Sequence, residues 1–327
     1  MIEKKKAQEV PYVPEIKIKD PASFLPAVAF HLHTIWLFTV SEHYTIVCPW
    51  AAFGIFSALS GPTLTTNSAP DFFAIVARLP QTVLWMWLNI LAFTVANQRL
   101  PSSVAEDSVN KPWRPLPSGR LTLVQARRLL LAVIPILLLF TRVFGGTEVT
   151  MLSLLLTWMY NDLGGADDSY ITRNVINAMG LTCWSIGTTS VACGKGEHTL
   201  DPAGYQWFAL AGVIIFMTLH LQDLRDQAGD RTRGRRTAPL VWGDGIARWT
   251  VAMSVLMWSF VCPVIWGLGV YAFVGPVLIG GTIVVRILLL RSVAADKISW
   301  QLWGFWISSI FVLPLLHNPS VFGALLR

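Results

Sequence analysis

Long runs of apolar residues recur along nearly the whole chain, with short polar stretches between them. A run of about 18 or more residues with almost no charge is long enough to cross the hydrocarbon core of a bilayer as an α-helix. The fourth run is the shortest and would need helix tilt or local bilayer thinning to cross. The pattern predicts an all-α, multi-pass integral membrane helical bundle of about nine transmembrane helices. The predicted spans are 44–61, 73–97, 122–141, 146–160, 174–193, 204–222, 247–267, 270–290 and 299–316.

Composition supports the membrane class. Hydrophobic residues make up 54% of the chain and charged residues 13%, and fifteen tryptophans are present. The mean hydropathy is +0.54. Such a balance exceeds what the core of a soluble protein requires and is typical of a lipid-embedded chain.

No linker or low-complexity stretch divides the chain, so we expect one transmembrane catalytic domain over residues 27–327. Residues 1–26 have mixed charge and several prolines, which predicts a solvated cytosolic tail rather than a cleaved signal peptide. In residues 27–43, histidines and a glutamate interrupt an aromatic run, which favours an amphipathic helix at the membrane interface over a tenth crossing.

Basic residues predict the orientation of the bundle, because Lys and Arg near short loops are retained on the cytoplasmic side. Most of them, including the tail lysines and residues 225–248, fall on one side of the nine-span arrangement. The formal net charge of +6 is thus explained by topology and an anionic ligand, not by nucleic acid. We expect a multi-pass membrane protein whose active site opens to the cytosolic face, in the endoplasmic reticulum if the source is eukaryotic.

Two acidic segments on that side are surrounded by basic residues. Glu106 and Asp107 follow the second predicted span, and Asp223, Asp226 and Asp230 follow the sixth. Four spans lie between the two segments, and an even number of crossings returns the chain to the side it left. The two segments are therefore predicted to face each other across one cavity.

Carboxylates beside guanidiniums indicate a site for a polyanion and a divalent metal ion. If the second segment is helical, Asp223, Asp226 and Asp230 share one face, because separations of three and four residues bring side chains together. Mg²⁺ prefers a few carboxylates combined with phosphate oxygens and water. Neighbouring arginines would neutralise the remaining phosphate charge. The combination predicts a Mg²⁺-diphosphate site.

The two segments resemble the Asp-rich loops of the UbiA superfamily of intramembrane prenyltransferases. The first runs from Asn97 through Glu106-Asp107 to Lys111-Pro112-Trp113-Arg114-Pro115, and the second, Asp223 to Asp230, has the family form DxxDxxxD followed by G, RT and P. The resemblance implies transmembrane helices around a central cavity, where two Mg²⁺ ions bridge a prenyl diphosphate to both segments.

The resemblance implies roles for individual residues, all of them expectations here. Expected metal ligands are Asn97, Glu106, Asp107, Asp223, Asp226 and Asp230, of which Asp107, Asp226 and Asp230 are also the expected catalytic residues. Expected diphosphate contacts are Lys111, Arg114, Tyr160, Arg173, Arg225, Arg233 and Arg236.

The first segment departs from the usual motif NDxxDxxxD. Gln98 follows Asn97, and Ser103 stands where the middle carboxylate is expected, so Glu106 is a candidate replacement. This altered form looks like the fungal membrane-bound terpene cyclases of the superfamily, which ionise farnesyl diphosphate and close the cation on itself. A Mg²⁺-dependent class I terpene cyclase making a sesquiterpene is therefore the first interpretation. The alternatives are a prenyltransferase with an aromatic or other acceptor, and a transporter or structural membrane protein.

A carbocation needs a dry pocket, and aromatic faces stabilise a cation without attacking it. Several aromatic residues on the predicted spans are candidates for the cavity lining. They are Trp85, Trp87, Trp158, Tyr160, Trp184, Phe216, Trp303 and Trp306.

Overall fold

The computed structural model describes residues 24–318, and the predicted tail lies outside this part except for its last three residues. Regular structure in the described residues is helical apart from one antiparallel bridge between Thr65 and Leu200. The all-α prediction is confirmed for this part of the chain. The α-helices are α1 Phe24–Thr39, α2 Cys48–Leu59, α3 Phe72–Ala77, α4 Leu79–Gln98, α5 Pro101–Asn110, α6 Leu123–Phe144, α7 Thr147–Asn161, α8 Gly165–Asp168, α9 Tyr170–Cys193, α10 Pro202–Thr218, α11 Asp223–Arg233, α12 Ala238–Trp242, α13 Asp244–Ile265, α14 Tyr271–Leu289, α15 Val293–Phe311 and α16 Leu313–His317.

A helix overlaps each of the nine predicted spans, but not all of these helices are long and apolar enough to cross a membrane. Helix α2 has 12 residues and α7 has 15, while α9 has 24 residues with many Ser, Thr and Asn side chains. The count of nine crossings stays a prediction. Six helical stretches in residues 24–318 qualify, namely Phe72–Gln98, Leu123–Phe144, Pro202–Arg233, Asp244–Ile265, Tyr271–Leu289 and Val293–His317.

The qualifying stretches divide into inner and outer helices. In Phe72–Gln98, Pro202–Arg233 and Val293–His317, 61% of the apolar window is buried, against 17% in Leu123–Phe144 and 22% in Tyr271–Leu289. An apolar helix with so much exposed surface needs an apolar solvent. We therefore interpret α6 and α14 as the helices that present most of their surface to lipid.

Small residues allow the inner helices to approach closely, as is common where lipid supplies no hydrophobic force between helices. A Cβ at Gly187 of α9 would lie 2.0 Å from the ring of Trp85 on α4. A Cβ at Gly54 of α2 would lie 2.6 Å from the backbone of Thr188. Helix α9 is thus fixed between α2 and α4, and its other face lines the cavity described below.

The segment that precedes the first span is helical and two-sided. In α1, Thr34 and Phe38 are buried, whereas Leu32 and Trp36 are exposed. Phe38 belongs to the same apolar cluster as Leu88 on α4. This distribution fits an amphipathic helix, and its position at the membrane interface stays a prediction.

Candidate active site

The two acidic segments form helices α5 and α11, which lie against each other. The Asn110 side chain at the end of α5 donates to the carbonyl of Asp226 at 3.0 Å and accepts from the backbone N–H of Gly229 at 3.0 Å. Glycine is required at position 229, because an added Cβ would come within 2.3 Å of Asn110. The expectation that residues near 107 and near 226 meet at one place is confirmed.

The carboxylates of the two helices are buried, and most are paired with basic side chains. Arg114 donates to both oxygens of Asp107 at 2.9 and 3.0 Å, and Arg173 donates to both oxygens of Asp223 at 2.7 and 2.9 Å. In each pair one nitrogen, Nη1, donates to both carboxylate oxygens, and such charge-assisted hydrogen bonds are stronger than those between neutral groups. Asp107 and Asp223 therefore hold Arg114 and Arg173 in place.

The remaining pairs connect the two helices. Lys111 Nζ lies 3.2 Å from Asp226 Oδ2, which joins the end of α5 to the middle of α11. Glu106 of α5 accepts at 3.2 Å from Arg233, the last residue of α11, and at 2.8 Å from Arg235, which lies just beyond it. The interface of α5 and α11 is thus ionic on one side and bridged by Asn110 on the other.

These pairs lie at one end of a cavity, and we call this charged end the mouth. The empty space of the cavity measures about 1020 Å³, including the open space at its entrance. Five basic side chains and three carboxylates line the mouth, and Asp107, Asp223 and Asp230 behind the lining pair with three of the arginines. The lining side chains are Lys111, Arg114, Arg173, Arg225 and Arg235, with Glu42, Glu106 and Asp226.

The remainder of the cavity is mainly apolar and aromatic. Ser153, Thr157 and Asn177 supply isolated polar groups there. Its apolar lining includes Ile46, Ile90, Phe93, Leu156, Tyr160, Ile176, Leu181, Trp184, Leu219 and Trp300.

Four of the mouth arginines have a buried N–H without a hydrogen-bond partner among the described residues. A buried donor left unpaired costs about 1–3 kcal/mol, and more when it is charged. Arg99 and Arg286 also have an unpartnered Nε, but neither lines the cavity. Four arginines of one cavity share this feature, at Arg114 Nε, Arg173 Nε, Arg225 Nε and Arg235 Nη2, of which Arg225 Nε lies 3.5 Å from Asp226 Oδ2 in an ion pair.

Neighbouring carboxylates keep the mouth arginines charged. Burial alone would lower the pKa of Arg114, but Asp107 and Glu42 raise it above its usual value. Burial likewise opposes the charge of Arg235, and its neighbours, among them Tyr160 and Glu106, raise its pKa. Arg114 and Arg235 therefore stay charged although they are buried.

The side chains fit a Mg²⁺ ion that is shared with a diphosphate. Within residues 24–318, no three Asp, Glu, His or Cys side chains are close enough together to hold a metal ion by themselves. Mg²⁺ usually takes one or two carboxylates and completes its shell with phosphate oxygens and water. Asp226 and Glu106 offer such hard oxygens at the cavity, and the buried Asp230 Oδ2 lacks a hydrogen-bond partner in the described chain.

Comparison with known proteins identifies the family. The UbiA prenyltransferase family matches residues 54–310. The fumagillin beta-trans-bergamotene synthase of Aspergillus fumigatus is 32% identical over 310 residues, which cover 94% of this chain and 97% of that protein. The chain belongs to the UbiA prenyltransferase family. It is thus a multi-pass membrane protein.

Other family members are similar over smaller parts of the chain or in fold alone. A polyprenyl transferase of Hericium erinaceus is 32% identical over 237 residues, covering 70% of this chain and 75% of that protein. A UbiA homologue of Archaeoglobus fulgidus, solved with DMAPP and Mg²⁺, has a TM-score of 0.56 at 13% identity. That match covers 84% of this chain and 99% of the homologue and shows the common fold.

The predicted site residues of this UbiA-family chain fall into three groups. Those that line the cavity are Asn97, Glu106, Lys111, Arg114, Tyr160, Arg173, Arg225 and Asp226. Those buried or half-buried behind the lining are Asp107, Asp223, Asp230 and Arg233. The structure does not bring Arg236 to the cavity, because its side chain is exposed after the chain turns at Gly234. The roles assigned to the first two groups stay predictions.

The residue that takes the expected place of Arg236 is its neighbour, Arg235. Helix α11 ends at Arg233, and Gly234 adopts a left-handed conformation with φ of 77°. This turn directs Arg235 back to Glu106 and Asp230, at 2.8 and 3.4 Å. The sequence shows two adjacent arginines, but it does not predict the turn at Gly234 that brings Arg235 rather than Arg236 to the cavity.

Asn97 is oriented by a residue to which no role was assigned. Asn161 Nδ2 donates to the carbonyl of Thr157 at 2.8 Å, which leaves its Oδ1 to accept from Asn97 Nδ2 at 3.0 Å. Because a backbone carbonyl can only accept, these two hydrogen bonds fix the orientation of both side-chain amides. The oxygen of Asn97 is thereby kept free of Asn161.

Only two of the eight candidate aromatic residues line the cavity, Tyr160 and Trp184. Trp158 is 50% exposed, and Trp303 donates to Thr218 away from the lining. Lining residues that the sequence did not single out are Glu42, Phe93, Gln98, Asn177, Gln222 and Trp300.

Proposed function

We propose that the chain is a Mg²⁺-dependent, membrane-bound class I terpene cyclase that ionises farnesyl diphosphate and closes the resulting cation to a sesquiterpene. At the coarser level, the chain is a membrane enzyme of prenyl diphosphate chemistry, as its family and its terpene synthase relative indicate. Cyclisation, the choice of farnesyl diphosphate and the need for Mg²⁺ belong to the proposal.

One observation carries the proposal. Four arginines, each with a buried N–H that has no hydrogen-bond partner among the described residues, line one end of a cavity whose remainder is mainly apolar and aromatic. Guanidiniums match the geometry of phosphate oxygens, and their unpaired donors would be satisfied by a diphosphate. An apolar interior excludes water from a reactive hydrocarbon chain. A prenyl diphosphate has this polarity, with a charged head and an apolar tail.

The residues at the mouth bind and orient the head group. Arg114, held by Asp107, and Arg173, held by Asp223, would donate to the phosphates from their remaining nitrogens. Bound Mg²⁺ would neutralise charge on the leaving group. Asp226, Glu106 and Asn97 line the cavity and would hold it, while Asp107, Asp223 and Asp230 stay predicted ligands.

Ionisation breaks the bond between the allylic carbon and the diphosphate oxygen, and the electron pair leaves with diphosphate. Fixed donors stabilise the charge that develops on that oxygen. Phe93, Tyr160, Trp184 and Trp300 then present aromatic faces to the cation at roughly 0.5–2 kcal/mol each. Attack by an internal double bond closes the ring, and loss of a proton to the released diphosphate completes the reaction.

A prenyltransferase remains the second candidate. Ser153, Thr157 and Asn177 place polar groups in the apolar part of the cavity, where they could orient an acceptor. The similarity to a polyprenyl transferase supports this alternative. The bergamotene synthase, which matches 94% of this chain, favours the cyclase.

Incubation with substrate separates the two candidates. Membranes containing the protein are supplied with farnesyl diphosphate and Mg²⁺ without an acceptor, and extracts are analysed by gas chromatography and mass spectrometry. A cyclic C15 hydrocarbon or alcohol, absent from Asp226→Ala membranes, is the expected result. Product that appears only after an aromatic acceptor is added would establish the prenyltransferase instead. Failure to release diphosphate from any prenyl substrate would contradict both.

We also propose that the cavity mouth opens to the cytosol. The support is the concentration of basic residues on its side of the bundle. Labelling of a cysteine introduced at Arg236 in sealed vesicles, compared with one at Lys195, tests this orientation.

A further inference from the structure

Helix α9 forms one wall of the cavity over residues 173–184. Arg173, Ile176, Asn177, Gly180 and Trp184 all line the cavity. Their separations of three and four residues place them on one face of the helix. The wall therefore runs from a charged residue at the mouth to an aromatic residue at the far end.

Gly180 lies midway along this wall. A helix rises 1.5 Å per residue, so Gly180 is about 10 Å and Trp184 about 16 Å along the axis from Arg173. A prenyl chain whose head is bound by Arg173 would pass Gly180 beyond its first isoprene units.

Neither backbone conformation nor helix packing requires a glycine at this position. The glycines with positive φ in the described residues do not include Gly180. An added Cβ would meet nothing within 4 Å, whereas at Gly187 of the same helix it would lie 2.0 Å from Trp85. Glycine inside a helix costs about 0.5–1 kcal/mol relative to alanine. The helix therefore carries a destabilising residue where a side chain would extend into the cavity.

We propose that Gly180 is a specificity-determining residue that leaves room for the part of a prenyl chain beyond the second isoprene unit. The inference rests on the proposed function and adds to it the length of the substrate. A larger side chain at position 180 narrows the cavity behind the head-group site. It discriminates against farnesyl and longer diphosphates while sparing geranyl diphosphate.

The test uses two variants and a matched control. Gly180→Ala and Gly180→Leu add volume in steps, and Gly281→Leu adds it at another helical glycine. Gly281 lies in α14, does not line the cavity, and an added Cβ there also meets nothing within 4 Å. Affinities are measured by calorimetry in lipid nanodiscs with Mg²⁺ present. The ligands are the unreactive thiolodiphosphates of geraniol and farnesol, and inorganic pyrophosphate as a probe of the head-group site alone.

We expect Gly180→Leu to weaken binding of the farnesyl analogue about tenfold or more, since overfilling a packed space costs about 1–3 kcal/mol. Binding of pyrophosphate should be unchanged, which also shows that the variant is folded. The geranyl analogue should lose less than the farnesyl analogue, and Gly180→Ala should lie between wild type and Gly180→Leu. Gly281→Leu should match wild type for all three ligands.

Equal losses for both prenyl analogues, or no loss for either, in a Gly180→Leu protein that still binds pyrophosphate would overturn the inference alone. A wild-type protein that binds the farnesyl analogue no more tightly than pyrophosphate would contradict the proposed function itself.

Discussion

Two groups of ion pairs in this molecule, one around Arg248 and one at the cavity mouth, differ in how completely their arginines are hydrogen-bonded. In α13, Arg248 donates from Nε to Asp244 at 2.8 Å, from Nη1 to Asp296 at 2.8 Å and the carbonyl of Ile287 at 3.0 Å, and from Nη2 to Asp296 at 2.7 Å. Each nitrogen of this guanidinium has a partner. At the cavity mouth, by contrast, four arginines each have a nitrogen without one among the described residues.

The difference separates an arginine that holds helices together from arginines that we propose bind a ligand. Arg248 joins α13 to α14 and α15 through four hydrogen bonds, and each of its three nitrogens has at least one partner. The mouth arginines are also paired with carboxylates, but each has one buried nitrogen without a hydrogen-bond partner among the described residues. Burial and charge are similar in the two groups, so the unsatisfied donors carry the functional information.

The largest expected effect concerns the group around Arg248. Arg248→Met leaves Asp296 buried without its partner, which should lower the free energy of unfolding by about 3–5 kcal/mol. Diphosphate affinity of the folded fraction should stay near that of wild type. Denaturant titration in detergent micelles, paired with calorimetry, measures both quantities.

The double variant Arg248→Met/Asp296→Leu is the control. It removes both charges and should recover much of the lost stability, because an apolar pair can replace a buried ion pair. A loss of diphosphate binding in a stably folded double variant would contradict a purely structural role for Arg248.

The second prediction concerns the acidic side of the mouth. Asp226→Asn keeps the size of the side chain but removes the charge that faces Lys111 and the proposed metal ion. Turnover should fall about 10²- to 10³-fold, the usual cost of losing one stabilising group at a developing charge. Product formation at saturating farnesyl diphosphate is the measurement. Turnover near the wild-type rate at low Mg²⁺ would show that Asp226 does not hold the metal.

The third prediction uses two adjacent arginines. Arg235→Gln should weaken binding of pyrophosphate with Mg²⁺ about 10- to 100-fold, since hydrogen bonds to charged groups contribute about 1.5–3 kcal/mol. Arg236→Gln should have little effect, because that side chain is exposed. Calorimetry on both variants measures the affinity for pyrophosphate. A larger loss of affinity for Arg236→Gln than for Arg235→Gln would show that Arg236, as the family motif implies, contacts the diphosphate.

The smallest effect is expected in the apolar part. Phe93→Leu removes one aromatic face from the cavity, and cation–π contributions of about 0.5–2 kcal/mol predict a reduced rate and a changed product ratio, with head-group affinity retained. Trp158→Leu changes an exposed aromatic residue and should leave the products unaltered. An identical product profile for Phe93→Leu would remove that ring from the proposed mechanism.

Much of the fold follows from the sequence, because bilayer thickness sets the length of an apolar run. A helix overlaps each of the nine predicted runs, and the meeting of α5 and α11 agrees with the even number of predicted spans between them. These features depend on local composition and on counting, so no long-range contact has to be known.

The finer parts of the site depend on contacts that the pattern does not encode. Trp158 and Trp184 lie on similar apolar runs, yet the first is 50% exposed and the second 5%. When every face of a helix is apolar, periodicity does not tell lipid from cavity. The choice of Arg235 over Arg236 likewise depends on one left-handed turn at Gly234.

The most direct test is a structure of the protein with Mg²⁺ and the thiolodiphosphate analogue of farnesyl diphosphate. The account predicts phosphate oxygens within hydrogen-bond distance, about 3 Å, of Arg114, Arg173, Arg225 and Arg235, with the prenyl chain along α9 past Gly180. A head group bound away from these four arginines, with their ion pairs unchanged, would contradict it.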